Sequence, residues 1–326
     1  MGKEPLILLF GIHLVLKISA LLSNQLKMSG SIQTWPTLLI KQKDQVMANE
    51  LTVLICRINR EMFSVPKIML TKIIFFAIPV LAAGLLGLFG LFDKLYAWHW
   101  QHVQLHSTIE TLGGVTACLI SILLFSECGK KKEAHLVMLA TGFASMGVLD
   151  TAHAISKTGD AFIFLHSVAV LSGGIFFASV WFSHGRRIKG LFEQHFIFFT
   201  FIALSFSIGL RALLFPDDVP KIMPLFDGKF TMAAVLINLT ASILFLVSVF
   251  KFYEIYRHEG SMRDLLFACL AFMFGIAAML FPFSSLWDGL WWIWHLVRLA
   301  AFLTTLVFIV KQYRKHLHLK SNAGGA

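Results

Sequence analysis

The sequence has few charged residues and few cysteines, and each shortage excludes a class of protein. Only 14% of its 326 residues are charged, whereas 57% are hydrophobic. Soluble globular proteins carry about 25% charged residues, so this composition excludes an ordinary soluble domain. The four cysteines show no CxxC spacing, and such scattered cysteines indicate buried free thiols rather than disulfides or a cysteine-based metal site.

Long apolar runs make up most of the chain. After a mixed, polar stretch, eight runs are long enough to span a bilayer. They cover residues 73–92, 107–125, 134–155, 162–182, 195–215, 230–252, 265–283 and 292–310. We therefore predict an all-α, polytopic membrane helical bundle with about eight transmembrane helices over residues 71–312. Residues 1–70 are predicted as a weak anchor plus a polar lead-in, and residues 313–326 as a short basic cytoplasmic tail.

The formal net charge of +10 is distributed unevenly along the chain. One alternate set of connectors between the predicted spans carries 17 Lys and Arg residues, whereas the other set carries four, together with six Asp residues. Basic residues near span ends are retained on the cytoplasmic side of a membrane. The charge therefore indicates membrane topology rather than nucleic-acid binding, and it predicts that both termini of the eight-span core are cytoplasmic.

Ionisable side chains recur at the predicted outer ends of the spans. In HVQLHSTIE, His102, His106 and Glu110 follow one another at intervals of four, which places them on one face of a helix. Three further segments contribute at a similar depth, namely GVLDTAHA, FLHS and WDGLWWIWHLVR. Their ionisable residues are Asp150, His153, His166, Asp288, His295 and Arg298. The sequence therefore predicts one shared polar site at the outer face.

Charged and ionisable groups within a span are costly unless they pair, meet water or hold an ion, so this cluster is a candidate functional site. Imidazole suits Zn, Cu, Fe or Ni, and neighbouring carboxylates can ligate an ion or orient a histidine. The predicted metal ligands are His102, His106, His153, His166 and His295. The predicted ligand-binding residues are Glu110, Asp150, Asp288 and Arg298. Three interpretations stay open: polar packing between helices, a transition metal (Zn, Cu or Fe) or haem, and a site for a small molecule or a proton.

The segments LHSTIETLGG, GFASMGVLDTAHA, FIFLHSVAVLSGG and WDGLWWIWHLVRLAAF resemble a known family. They are similar to the membrane-associated sensor (MASE-type) input domains of bacterial sensor histidine kinases and diguanylate cyclases. The resemblance covers about residues 70–312 and depends mainly on the LDxxH element and on the eight-helix layout. It implies an input module without a kinase or cyclase domain, because only KQYRKHLHLKSNAGGA follows Val310.

We therefore expect a sensor or binding module in the bacterial inner membrane, with its His/Asp/Glu cluster at the periplasmic face. Its signal would pass through a separate or lost cytoplasmic output domain. The alternatives are a metal-dependent intramembrane hydrolase and a bis-histidine haem protein that exchanges electrons with quinone. No catalytic residue is predicted, and a non-enzymatic role is favoured. The expected partners are membrane lipid, a cytoplasmic kinase or cyclase and a second copy of the chain, but not nucleic acid.

Overall fold

The computed structural model of the protein describes residues 97–131, 133–188, 190–223 and 229–323. This part of the chain is all-helical, and seven of its helices are long and apolar enough to cross a membrane. The chain is therefore an integral membrane protein, and the prediction of a bundle of about eight spans is confirmed to within one helix. The predicted span at residues 73–92 and the predicted N-terminal segment, residues 1–70, lie outside the described residues.

The described helices follow one another with short connectors. Their bounds are α1 Val103–Lys131, α2 Ala134–Ile155, α3 Asp160–Ala178, α4 Val180–Ser183, α5 Leu191–Leu214, α6 Met232–Glu259, α7 Met262–Leu280 and α8 Gly289–Ala323. The apolar span of α8 ends at Gln312, and the helix continues through residues 313–323, in the predicted tail.

Local sequence signals set where the helices stop and start. The hydroxyl of Thr231 accepts a hydrogen bond from the Ala234 N–H and caps the start of α6. Gly260 ends the same helix with φ at +66°, a left-handed conformation that glycine adopts without steric cost. Pro282 lies in a 3₁₀ turn directly after α7, where its ring prevents the helix from continuing.

Six of the long helices form a closed ring in the order α1, α2, α3, α6, α7, α8 and back to α1. The remaining long helix, α5, packs on the outside of the ring against α2. It exposes a row of large apolar side chains, including Phe192, Phe196 and Phe206. This composition suits contact with lipid, because a helix that is apolar on its outer face is covered by acyl chains.

The interior of the ring is apolar across its middle. Phe143, Phe177, Phe245, Phe274 and Phe302 come from five different helices and contact one another edge to face or at a tilt. All five are nearly fully buried. Buried aromatic side chains contribute large apolar contact areas, so this layer joins the ring of helices and separates its two ends.

Helices α1 and α2 approach closely at a pair of glycines. A Cβ atom at Gly147 would lie 2.7 Å from the Gly114 carbonyl oxygen and 2.6 Å from Cys118 Sγ. Neither gap admits a side chain, so the sequence needs glycine there for the two backbones to meet. This contact fixes the register of α1 on α2, and hence which residues of the two helices face each other at the ring's end.

Candidate functional site

Three histidines from three helices meet at one end of the ring. His106 lies in the first turn of α1, His153 in the last turn of α2 and His295 in the second turn of α8. The Nε2 atom of His106 is 3.1 Å from His295 Nε2 and 3.3 Å from His153 Nε2. All three side chains are buried. We call this end of the bundle the histidine end and this group the three-histidine group.

Backbone carbonyls determine which nitrogens of this group carry protons. His153 Nδ1 lies 2.8 Å from the Phe162 carbonyl oxygen, and His295 Nδ1 lies 2.6 Å from the Trp291 carbonyl oxygen. A carbonyl oxygen only accepts, so each Nδ1 must be the donor. In the neutral imidazole the Nε2 atoms of His153 and His295 therefore bear lone pairs, and both point at His106.

His106 lies between these two lone pairs. If His106 carries its proton on Nε2, that one N–H can make a good hydrogen bond to the Nε2 atom of either His295 or His153. The Nε2 atom of the remaining histidine then has no donor of its own. The second ring nitrogen of His106, Nδ1, is buried and has no hydrogen-bond partner among the described residues. In the other tautomer of His106 the proton lies on Nδ1, all three Nε2 atoms bear lone pairs, and a cation bound by them would satisfy all three at once. One ring nitrogen of each of the three residues lies within 4.8 Å of the others.

Arg298 links four helices directly below the three-histidine group. Its Nη2 donates to Asp150 Oδ2 at 2.6 Å, and its Nη1 donates to His166 Nδ1 at 3.0 Å. The same Nη1 lies 3.6 Å from Glu110 Oε1, and that oxygen is 3.4 Å from His295 Nε2. The guanidinium therefore holds α1, α2, α3 and α8 together and places Glu110 beside the histidines.

The contact with Arg298 also fixes the tautomer of His166. A guanidinium only donates, so His166 Nδ1 accepts and the proton of the neutral ring lies on Nε2. A protonated nitrogen does not bind a metal. Ligating atoms of Glu110, His153 and His166 also lie within 4.8 Å of one another, but in this tautomer His166 supplies a hydrogen-bond donor to that group rather than a ligand atom.

Two of the predicted site residues lie apart from the three-histidine group and cap helices instead. His102 Nδ1 accepts a hydrogen bond from the Leu105 N–H at 3.1 Å, which caps the start of α1. Asp288 accepts from the Trp291 N–H at 2.7 Å and from the Ser285 N–H at 2.6 Å, which caps the start of α8. Burial raises the pKa of the Asp288 carboxyl above its ordinary value, although both backbone donors act in the opposite direction.

Aromatic rings enclose the three-histidine group. The ring of His106 contacts Trp291, Phe162 and Trp287, with centroid distances of 4.6, 5.1 and 5.6 Å. Trp287, Trp291 and Trp294 are almost fully buried. Their rings exclude water from the group, so charges there interact in a medium of low polarity.

Trp287 has an unusual backbone. Its φ of +71° makes it the only non-glycine residue with positive φ in the part of the chain that the structure describes. Such a conformation is strained for a bulky residue. The Trp287 carbonyl accepts a hydrogen bond from the Trp100 N–H at 3.0 Å, and this contact together with the ring packing retains it. No sequence pattern indicates this strain.

A second group of ionisable side chains lies at the opposite end of the bundle. Arg263 Nη2 and His135 Nε2 lie 3.1 and 3.6 Å from Glu133 Oε2. The ring of His184 lies 5.4 Å from that of His135 between centroids, at a tilt of 60°, and its Nε2 is 3.2 Å from Glu259 Oε1. These residues lie in or directly beside the ends of α2, α4, α6 and α7, far apart in the chain, so no spacing in the sequence indicated them. They join α2, α6 and α7 at this end.

Two of the three histidines at the histidine end have an outer hydrogen bond that fixes the ring, whereas His106 has none among the described residues. Metal-binding histidines commonly donate their second ring N–H to a backbone carbonyl, which fixes the ring and its tautomer. His153 and His295 both do so.

Comparison with known proteins adds no relative to this description. No protein-family model matches the chain, and neither a curated protein nor a solved structure is significantly similar to it.

Proposed function

We propose that this integral membrane protein is a binding module for a divalent transition-metal ion, which His106, His153 and His295 would hold through their Nε2 atoms. The observation that carries the proposal is the convergence of the three nitrogens, two of which bear lone pairs because their rings donate to backbone carbonyls. Imidazole nitrogen is a preferred ligand of Zn, Cu, Fe and Ni.

The spacing of the nitrogens suits a bare ion. With Zn–N bonds of about 2.0–2.1 Å, two ligands of a tetrahedral ion are separated by about 3.3 Å, close to the 3.1 and 3.3 Å between the Nε2 atoms. Haem fits less well. A porphyrin would have to lie beside an axial histidine, and the rings of Trp291, Phe162 and Trp287 fill the space around His106.

We further propose that occupancy of the site is passed along α8 to the cytoplasm, where a kinase or cyclase would receive it. Helix α8 contains 35 residues, so it is about 52 Å long at a rise of 1.5 Å per residue. Its span ends at Gln312 and the helix continues to Ala323. An ion shared by α1, α2 and α8 would change how α8 packs against its neighbours. The resemblance to MASE-type input domains supports this role.

Metal binding is tested by titrating purified, chelator-treated protein with Zn²⁺ in a calorimeter and by measuring bound metal after dialysis. We expect about one ion per chain. His153→Ala and His295→Ala should each weaken binding at least 100-fold. His258→Ala is the matched control, because His258 is exposed at the far end of α6, and it should bind as the unchanged protein does. Equal binding by all four proteins would contradict the proposed site.

The signalling role has a separate test. One spin label is placed on α8 near residue 312 and a second at the N-terminal end of α2, away from the histidine end. The pair reports the distance between the two helices with and without Zn²⁺. A shift in the distance distribution on addition of the ion, absent from His153→Ala, is expected. An unchanged distribution in a protein that binds the ion would overturn the signalling role and leave the binding site in place.

A further inference from the structure

The three-histidine group offers an ion three ligand atoms. Among the residues that the structure describes, no fourth His, Cys, Asp or Glu joins this group, whose ligand atoms lie within 4.8 Å of one another. Protein-bound Zn²⁺ is almost always four-coordinate, and Cu²⁺ and Ni²⁺ favour square-planar or tetragonal surroundings, which need at least four ligands. A divalent ion in this group therefore needs a further ligand, which in open zinc sites is a water molecule.

Aromatic rings occupy the space around the ligand nitrogens. Trp291 contacts both His106 and His295, at 4.6 and 3.9 Å between ring centroids. Phe162 contacts both His106 and His153, at 5.1 and 4.1 Å. All five side chains are buried. A buried water molecule needs two to four polar partners, and these rings enclose the nitrogens with apolar surface. An ion here would therefore keep three ligands.

Glu110 is a carboxylate close to the group, but it also contacts Arg298. Its Oε1 atom lies 3.4 Å from His295 Nε2 and 3.6 Å from Arg298 Nη1. Its ligand atoms group with those of His153 and His166, and not with the three-histidine group, at the same limit of 4.8 Å. Glu110 therefore contributes charge to the surroundings of the ion rather than a fourth bond.

The charge of the surroundings favours a monovalent ion. Arg298 lies beside Asp150 and Glu110, and these three side chains sum to −1 when both carboxylates are ionised. A monovalent ion makes that sum zero, whereas a divalent ion makes it +1. If one carboxylate is protonated, the same two ions leave +1 and +2. The monovalent ion leaves the smaller net charge in both cases, and burial penalises net charge.

We propose that the three-histidine group selects Cu⁺ over divalent ions. This inference rests on the proposed metal site and concerns which ion that site prefers. Cu⁺ has a filled d shell, carries one charge and forms stable complexes with three nitrogen ligands, and imidazole suits copper. Divalent ions bind through the same three nitrogens, but with an incomplete set of ligands and a larger buried charge, so they bind more weakly.

The nitrogen ligands also separate Cu⁺ from other monovalent ions. K⁺ is bound by oxygen atoms such as backbone carbonyls, whereas the three-histidine group offers ring nitrogens. Ag⁺ has the same charge as Cu⁺ and also a filled d shell, so it should share the site. The class of ligand is therefore a soft, monovalent metal ion, and Ag⁺ is a probe that does not oxidise in air.

The first test compares two affinities of the unchanged protein in detergent, without oxygen. Cu⁺ is titrated against bicinchoninate, a competing chelator whose Cu⁺ complex absorbs visible light, and Zn²⁺ is titrated by calorimetry at the same pH. The Kd for Cu⁺ should be lower than that for Zn²⁺ by a factor of about 100 or more, because the divalent ion leaves an extra buried charge. His295→Ala should lose Cu⁺ binding, whereas the exposed His258→Ala should keep it.

Two results of this comparison have different consequences. A Kd for Zn²⁺ equal to or lower than that for Cu⁺ would overturn the preference and leave the metal site in place. Failure of the unchanged protein to bind Zn²⁺, Cu⁺ or Ag⁺ would instead overturn the proposed function itself.

The second test counts the ligands of the bound ion. The X-ray absorption edge of three-coordinate Cu⁺ differs from that of four-coordinate Cu⁺, and the fine structure beyond the edge reports the neighbouring atoms. We expect three nitrogen neighbours in the Cu⁺-loaded protein. A fourth nitrogen or oxygen neighbour would overturn the three-coordinate site.

A variant that makes room for water tests the cause of the preference. Phe162→Ala removes the ring that contacts both His106 and His153, so Zn²⁺ can keep a water molecule as its fourth ligand. The ratio of the Kd for Zn²⁺ to the Kd for Cu⁺ should fall about tenfold or more. Phe245→Ala is the matched control, because it also removes a buried ring, but from the aromatic layer in the middle of the bundle. An unchanged ratio in Phe162→Ala would overturn enclosure by aromatic rings as the cause.

Discussion

The ion pair between Arg298 and Asp150 allows a quantitative test of how this bundle holds charge in its interior. The two side chains meet at 2.6 Å with exposed fractions of only 5% and 1%. Arg298 also lies 3.6 Å from Glu110 and donates to His166. One guanidinium thus balances two carboxylates, and its removal would leave Asp150 and Glu110 without a counter-charge.

Arg298→Met removes that counter-charge while keeping a long apolar side chain. Breaking a buried pair by removal of one partner costs about 3–5 kcal/mol, which lowers the folded-to-unfolded ratio roughly a hundredfold to several thousandfold at about 1.4 kcal/mol per tenfold. Glu110→Gln should cost less than Arg298→Met, because the Asp150–Arg298 pair survives it. The double variant Asp150→Leu/Arg298→Met should also cost less than Arg298→Met alone, since it leaves no charge of this pair buried.

The assay is the free energy of unfolding of each purified variant in one detergent, measured by denaturant titration and followed by tryptophan fluorescence. The exposed pair Arg211–Asp218 is the control, since its side chains are 69% and 55% exposed. Arg211→Met should cost less than about 1 kcal/mol. A double variant as unstable as the sum of its two single variants would show that the residues do not interact, and would refute this account of the buried charges.

Three further predictions concern the backbone and the caps. Trp287→Gly should be more stable than Trp287→Ala by about 1 kcal/mol, since a φ of +71° costs an L-residue that amount but costs glycine nothing; equal stabilities would contradict a left-handed conformation. Gly147→Ala should lower stability by about 1–3 kcal/mol, because its Cβ would lie 2.7 Å from a carbonyl oxygen of α1. Gly190→Ala should have little effect in the same unfolding assay, because its Cβ would lie 3.9 Å from the Phe192 backbone nitrogen, an ordinary van der Waals contact. Because burial raises the pKa of Asp288 above the ordinary 3.8, its protonated form stabilises the fold fully below pH 3.8, and this contribution is lost as the pH rises through the folded-state pKa. The stability difference between the unchanged protein and Asp288→Asn should therefore shift against the unchanged protein as the pH rises, and a difference independent of pH would contradict the raised pKa.

The sequence alone was sufficient to predict the helical membrane bundle and the approximate position of the spans. Apolar runs of about 20 residues can only be accommodated as helices in lipid, because every backbone N–H and C=O must be satisfied within the segment. It also predicted which end of each helix carries the histidines and carboxylates, since position along a helix follows directly from position in the chain.

Only the tertiary structure showed which of the predicted histidines and carboxylates meet at one site and which cap helices. His102 and Asp288 lie at the same end of the bundle as the other candidates, but each caps a helix. His166 and His153 are both buried histidines, yet Arg298 donates to one and the Phe162 carbonyl accepts from the other. A ring nitrogen is available to an ion when the other ring nitrogen carries the proton and donates it in a hydrogen bond to a neighbour. That neighbour belongs to another turn or another helix. Spacing along one helix records which side chains share a face, but it contains no information on what the facing helix presents to them.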